Sequence, residues 1–478
     1  MRRALLVLCA LSLLAAACSG NKQATNVANS GTQDTTSTAP DASALPGAKA
    51  PGAKTSGGSG GVVPGGGSSS AGGSSPAGRN VAGTKQTTKS GFTYKAANLF
   101  PASQDRVGIS KSAIDLCMHA ALVLGPAFND SAKDFQVYWQ WLNGNGGIYG
   151  RKVNMTFTDD AYTPTGGVQA AQQCFSGNPE PFLMMAGIGF DTVPAVRQWA
   201  EQNHKLYFAS FATEHGLYNL KYTFQFSPSV EHFGDVAGKY VASKYPGGSV
   251  GVVWRNSPNW QGGRDTFEKE VKARGAKVTD LPVSQNQGSY TNEILALKAA
   301  KVTTVLAWVN VLEYAQLEKQ AAQQGYYPRW VVAGFNLVTD TVGADINGTH
   351  GPAAVGIWVT PEYHNGDTTS PWAPEMKKMR AAYAKYDSGH TITDTDWQAW
   401  LAFKSTTQLF VDCGPDCTRN KIAGMLLAGY RSTLAPLCAT DFARGRGKVG
   451  SFAFNIWKAV NRSGTNGWQQ TESCKESF

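Results

Sequence analysis

Asp159 and Asp160 stand side by side near the end of the alternating run "GRKVNMTFTDDAYTP" (150–164). Paired carboxylates can serve as a general acid/base couple or hold a metal. Adjacent residues on a strand point to opposite faces, so these two cannot face one reacting atom while the strand continues. They read instead as the polar end of a strand, placed to satisfy N–H groups of the loop or of the helix that follows Pro164. Other enzymatic signals are no stronger. His119, His204, His215, His232, His350, His364 and His390 are scattered, with no H-x-H or H-x-x-x-H pair. No phosphate-cradling G-x-x-x-x-G-K-[ST] motif is present, and no G-x-G-x-x-G opens a helix. Gly57-Gly58-Ser59-Gly60-Gly61 matches G-x-S-x-G, but no strand precedes it and no helix follows. Cys413-Gly-Pro-Asp-Cys417 looks like half a zinc site without a second half at zinc-like spacing. A secreted hydrolase is therefore the weakest reading, and no catalytic residue, metal or cofactor is assigned.

The chain that must position any site begins with an export signal. Residues 1–20, "MRRALLVLCALSLLAAACSG", combine two arginines, a short apolar run and small residues ending at Cys18. Ala15-Ala16-Ala17-Cys18 resembles a lipobox, in which Cys18 is acylated and anchors the chain; the alternative is simple cleavage after Ala17. Residues 19–100 read as a disordered tether rich in Gly, Ser and Pro, and no aromatic residue occurs between 19 and 91. With ~75 residues its reach is on the order of 50 Å. The formal net charge of +9 drops by two when Arg2 and Arg3 leave with the signal. The remaining basic residues are interspersed with acids, which speaks against nucleic-acid binding. Cys117, Cys174, Cys413, Cys417, Cys438 and Cys474 remain, an even number in an exported chain. Paired in order they give 117–174, 413–417 and 438–474, one of 15 connectivities that six cysteines permit.

The rest alternates short apolar strands (107–110, 153–157, 182–188, 206–209, 250–254, 302–309, 330–334 and 355–359) with amphipathic helices. Phe135, Tyr138, Trp139 and Leu142 lie at i, i+3, i+4 and i+7, and Met376, Met379 and Tyr383 repeat the spacing. Strand–helix alternation means α/β architecture with parallel sheets covered on both faces. A break near Phe226-Ser227-Pro228 divides it into two doubly wound lobes.

"WLNGNGGIYGRKVNMTFTDDAYTPTGGVQAAQQCF" (141–175) closely resembles the early segment of type I periplasmic binding proteins, the Leu/Ile/Val-binding-like solute receptors of ABC transporters. Asn143, Gly146, Gly147, Ile148, Gly150 and Arg151 supply the family's turn, and "PFLMMAGIG" (181–189) supplies the strand that runs into Gly. "LYFASFATEHGLYN", "YTFQFSPS", "VGVVWRNSPNWQGGRDTFEKEVKARGAKV" and "LEKQAAQQGYYPRWVVAGFN" follow in the family's order. The resemblance implies a type I periplasmic-binding fold, with two lobes joined by three hinge crossovers. It places 101–227 with 360–450 in the first lobe and 228–359 with 451–478 in the second.

It also implies that a small molecule is trapped beyond the carboxyl ends of the strands. In the first lobe that places Phe190, Asp191 and Thr192 after one strand and Ser210, Phe211, Ala212 and Thr213 after the next. Asp191 or Thr192 can equally cap the helix that begins near Pro194, and Thr213 can equally be a plain turn residue. Phe128 either closes one side of the pocket or joins the core. In the second lobe Trp260 falls where relatives carry a covering Tyr, and Trp308 and Asn310 end a strand that points toward the cleft. Core packing or surface exposure is the other reading of both tryptophans. Amino-acid-binding members carry an acid near the end of the strand that reads "WVVAGFN" here; this chain has Asn336 there and no acid until Asp340. An ammonium would then need Asp191 or Glu313, so an amide, urea-like, aromatic or carboxylate ligand is equally open. The implied function is a monomeric extracytoplasmic lipoprotein that captures a small polar organic molecule and hands it to an ABC permease. A sensor or envelope-interaction lipoprotein of the same fold is the alternative.

Overall fold

The computed structural model describes residues 81–122, 131–187, 191–210, 216–333, 354–358, 360–361, 368–462 and 465–478. The tether expected over 19–100 does not extend that far: β1 (Lys85–Thr87) and β2 (Thr93–Lys95) form a short hairpin, and Tyr94 and Phe100 are buried in the first lobe's core, apolar surface that holds this stretch in place. That lobe is built from β3 (Ala113–Ala120), α1 (Ala132–Gly144), β4 (Lys152–Asp159), α2 (Pro164–Phe175), β5 (Leu183–Ala186), α3 (Val193–Gln202), β6 (Tyr207–Ala209) and β7 (Thr223–Gln225). Its five strands are parallel in the order β4-β3-β5-β6-β7. The expected strand at 107–110 is not formed: Ile109 is tied back to Arg106 in a turn and makes an isolated bridge to Ile114. The strand lies at β3 instead. Asp115 and His119 interrupt its apolar pattern, and both are accommodated by tertiary contacts, Asp115 accepting from Asn154 Nδ2 (2.8 Å).

Local chemistry explains the boundaries. Ser131 and Asp134 form a capping box at the start of α1, whose Phe135, Tyr138, Trp139 and Leu142 face the core. At its far end the Asn143 side chain both donates to and accepts from the Val153 backbone (2.9 and 2.7 Å). Gly147 takes φ +64° there, and a Cβ on it would sit 1.9 Å from the Arg151 carbonyl oxygen, so the turn admits no larger residue.

The second lobe runs through α4 (Val230–Lys244), β8 (Ser249–Arg255), α5 (Pro258–Lys272), β9 (Lys277–Val283), α6 (Thr291–Ala299), β10 (Thr304–Trp308), α7 (Val311–Gln323), β11 (Arg329–Ala333) and β12 (Val355–Trp358). The chain then returns to the first lobe's core with α8 (Ala373–Tyr386), α9 (Asp394–Cys413) and α10 (Arg419–Leu427), followed by the small pair β13 (Arg431–Ser432) and β14 (Thr440–Asp441). It ends with β15 (Phe454–Arg462) and β16 (Thr465–Lys475), which extend the second sheet antiparallel. That sheet has the order β16-β15-β12-β11-β10-β8-β9.

Helices α1, α8 and α9 pack on one face of the first sheet, while α2 and α3 cover the other around Cys117, Met184 and Val196. The disulfides pair as the order of the cysteines implies: Cys117–Cys174 ties β3 to α2, Cys413–Cys417 closes the end of α9, and Cys438–Cys474 reaches β16. Where β7 leaves for the second lobe, the returning strand of chain runs beside it: Gln225 N–H donates to Lys448 O and Gly450 N–H to Gln225 O, both at 2.8 Å.

Lys448 holds this junction with its side chain buried. Its Nζ donates to the carbonyls of Lys221 and Thr223 (3.2 Å each) and lies 3.9 Å from the Phe224 ring centroid. Burial pushes its pKa down to about 8, opposed by Glu201. A folded-state value below the unfolded one means that folding disfavours the charged form, so stability is lowest below pH 8 and rises as the pH passes through 8 toward 10.5. Urea unfolding across that range should show a gain of up to about 3 kcal/mol attributable to this group. Lys448→Met should lack that component; an identical pH profile in the variant would refute it.

Candidate ligand-binding site

The two acids at the end of β4 resolve into separate structural roles. Asp159 Oδ1 accepts from Leu122 N–H (2.9 Å) and Ala161 N–H (3.2 Å). Asp160 is fully buried, accepting from Tyr162 N–H (2.9 Å) and meeting His119 Nδ1 at 2.8 Å, while His119 Nε2 meets the Tyr207 hydroxyl at 2.8 Å. This Asp–His–Tyr chain has the residue types of a proton relay. None of the three is exposed, and it ties β3, β6 and the β4–α2 loop together instead.

Where the lobes meet, the central group is Arg255, the last residue of β8, with only 2 % of its side chain exposed. Its Nη1 donates to Asp191 of the first lobe, and its Nε and Nη2 donate to Glu313 Oε1 (3.1 and 2.6 Å) at the start of α7. Burial works against the charge, but Asp191 and Glu313 more than offset it and hold the guanidinium pKa above its ordinary value. Glu313 also receives the N–H groups of Asn286 and Asn310 (3.0 Å each), and Asn310 completes a capping box on α7. The Trp260 indole N–H donates to Asp191 Oδ1 (3.2 Å), and its ring lies 5.4 Å from the Arg255 guanidinium carbon. Trp308 donates to the Trp260 carbonyl (2.7 Å) and meets its ring edge-on at 5.6 Å. Gly263 makes room for this pair: a Cβ there would lie 2.3 Å from the Trp308 ring. Tyr162 and Ala121, from first-lobe loops, pack into the second lobe's core beside the network.

A cavity of about 210 Å³ lies between the carboxyl ends of β3, β5 and β6 and the face of α9, framed by residues 226–228, Thr360 and Ser451 at the crossovers between lobes. Met118, Phe135, Met185, Phe208 and Leu401 form its apolar wall. Ser210 lines it too, its hydroxyl donating to the Gly187 carbonyl and so bridging the ends of β5 and β6.

The residues expected at the site thus fall into groups. Asp191, Trp260, Trp308 and Asn310 are brought together through Arg255 and Glu313; Ser210 lies on the cavity; Thr192 is fully buried at the start of α3. Phe128, Phe190, Phe211, Ala212, Thr213 and Asn336, like the lipobox Cys18, lie outside the described residues. Sequence reasoning missed Arg255 and the cavity face of α9. A charged residue closing the apolar strand "SVGVVW" was the signal for the first. The second had none, because α9 lies far along the chain from the strands it covers.

Asp134, Asp387 and His390 bring potential metal ligands within 4.8 Å of one another, away from this region. Each acid there has a protein partner. Lys133 pairs with Asp387, and the His390 ring bridges Asp134 (3.3 Å) and Asp396 (2.7 Å), so the cluster reads as a tie between α1 and the α8–α9 turn.

Two doubly wound lobes joined by three crossovers, with a cavity at the strand ends beside them, define a class of solute-binding proteins. Residues 123–453 match the periplasmic binding protein family, and the chain belongs to it. It is 28 % identical over 249 residues to Leu/Ile/Val-binding protein homolog 1 of Brucella melitensis, covering 50 % of this chain and 64 % of that protein. The match therefore spans just under two thirds of the curated relative. Among solved structures, the fatty acid ABC transporter substrate-binding protein from Thermomonospora curvata superposes with a TM-score of 0.64 at 17 % identity, covering 77 % of this chain and 94 % of that one. A possible leucine/isoleucine/valine-binding protein from Rhodopirellula baltica gives 0.60 at 14 % identity, covering 76 % and 96 %.

Substitutions separate the two halves of the network. Glu313→Gln leaves a buried guanidinium short of charge and removes one of the two carboxylate oxygens that serve Arg255, Asn286 and Asn310, which should cost about 3 kcal/mol in urea unfolding. Asp191→Asn keeps the Arg255–Glu313 pair and weakens only the contact between lobes. Small-angle scattering should then give a larger radius of gyration than for the parent chain; an unchanged radius would show that Asp191 does not hold the lobes together.

Proposed function

We propose that this protein is an exported solute receptor of an ABC transport system, which encloses a small organic molecule between its lobes and delivers it to a membrane permease. The observation that carries this reading is the cavity at the carboxyl ends of the first-lobe strands, framed by the crossovers about which the lobes turn. The names of its relatives support transport as the context, one being a fatty acid transporter's binding protein. The ligand contacts fall to the cavity wall with Ser210, while Asp191, Trp260, Trp308 and Asn310 hold the closed arrangement. Cys18 carries the lipid that keeps the receptor at the outer face of the membrane, and the chain works as a monomer.

At 100-fold excess over Kd a ligand adds about 2.7 kcal/mol of stability. For a cooperative unit of about 200 residues this raises the melting temperature by roughly 5–10 °C. Screening the purified chain against a broad metabolite panel should find such a shift; a flat panel would remove the receptor reading. Cys18→Ala should move the protein from the membrane fraction to the soluble fraction on fractionation, and retention in the membrane would exclude lipidation at that residue.

A further inference from the structure

Both the cavity and the network between the lobes bear on what charge the ligand carries. Among the described residues of the cavity wall, the polar side chains are hydroxyls and the Gln398 carboxamide; no Asp, Glu, Lys, Arg or His side chain lines it. An ionised group taken out of water needs an opposite charge or several hydrogen bonds, and otherwise neutralises or stays outside. Among the described residues at the meeting of the lobes, the groups that could serve an amino acid are already committed to each other. Asp191 and Glu313, the acids able to receive an ammonium, hold Arg255, and Arg255, able to receive a carboxylate, directs Nε, Nη1 and Nη2 at those two acids. The chain thus supplies from its own side chains the charge pairs that a zwitterionic ligand would make.

Resting on the receptor reading above, we infer that the cavity takes an uncharged solute: an apolar body carrying a neutral polar function such as a hydroxyl, carbonyl or amide. The body lies against Met118, Met185, Phe135 and Leu401, and the two thioethers adapt to its shape. The polar function meets Gln398 and Ser405, two turns apart on α9 and both on the cavity wall. A carboxamide both donates and accepts, so hydroxyl and carbonyl compounds are served alike. Two other wall hydroxyls are turned to the protein: Ser210 to the Gly187 carbonyl, and Thr406 to the Ala402 carbonyl at 3.1 Å. Gln398, the one carboxamide among the described wall residues, places on α9 a group that can both donate and accept.

Calorimetric titration of the full chain with compounds matched in shape and differing in charge tests the inference. Suitable probes are octanamide against octanoate, benzamide against benzoate, and cyclohexylmethanol against cyclohexylmethylamine, with leucine alongside. The expected result is that the neutral member of a binding pair is at least tenfold tighter than its charged partner, with leucine silent. A charged member or leucine binding as tightly as any neutral compound overturns the ligand class and leaves the receptor reading standing. Silence from this series and from a general metabolite panel overturns both.

Two substitutions place the ligand. Gln398→Glu should weaken the neutral compound at least tenfold, and Ala402→Phe, which fills the cavity without charging it, should abolish binding. Melting temperatures of the unliganded variants should match the parent, which separates lost binding from lost folding. Undiminished affinity in well-folded Ala402→Phe would show that the cavity is not the site.

Discussion

The arrangement of the two lobes turns on one buried guanidinium. Arg255 closes β8 with 2 % of its side chain exposed, and it cannot shed its charge by losing a proton. It must therefore find carboxylates, and the second lobe supplies only part of what it needs. Glu313 comes from the neighbouring α7 and is fixed by its capping role; Asp191 comes from the other lobe and reaches Arg255 only with the lobes together. A buried ion pair of this kind contributes little net free energy compared with an apolar contact, because desolvation consumes most of the Coulombic gain. What it supplies here is geometry, since its donors and acceptors are satisfied in one relative position of the lobes.

That geometry shapes the rest of the site. With Asp191 held by Arg255 and by the Trp260 indole, the charged and aromatic groups around the network face one another. Space remains on the first-lobe side, where α9 crosses the carboxyl ends of β3, β5 and β6. The cavity is apolar because both surfaces that make it are core-facing: the sheet face that packs against α1 and α9, and the inner stripe of α9 itself. The Cys438–Cys474 disulfide spans the same region, with Cys438 on the cavity wall and Cys474 in β16 of the second lobe's sheet.

Much of this was legible in the residue order. Strand–helix alternation gave parallel sheets, the Asn143–Arg151 turn and the segments after it pointed to the family, and six cysteines in an exported chain paired in sequence. β3 was not legible. Asp115 and His119 break its apolar run, and the partners that make them tolerable, Asn154, Asp160 and Tyr207, are distant in sequence. Arg255 was missed for the same reason: an arginine at the end of a strand reads as exposed until its carboxylates are known.

The sequence by itself determined the parallel two-lobed architecture and the disulfide-permissive compartment. These follow from periodicity and cysteine number, both of which are read along the chain without knowing what meets in space. Tertiary structure decided what became of Asp191 and Glu313, each of which could equally have met a ligand's ammonium. Placing Arg255 between them required two lobes and three chain segments to converge, and no spacing in the sequence records that convergence.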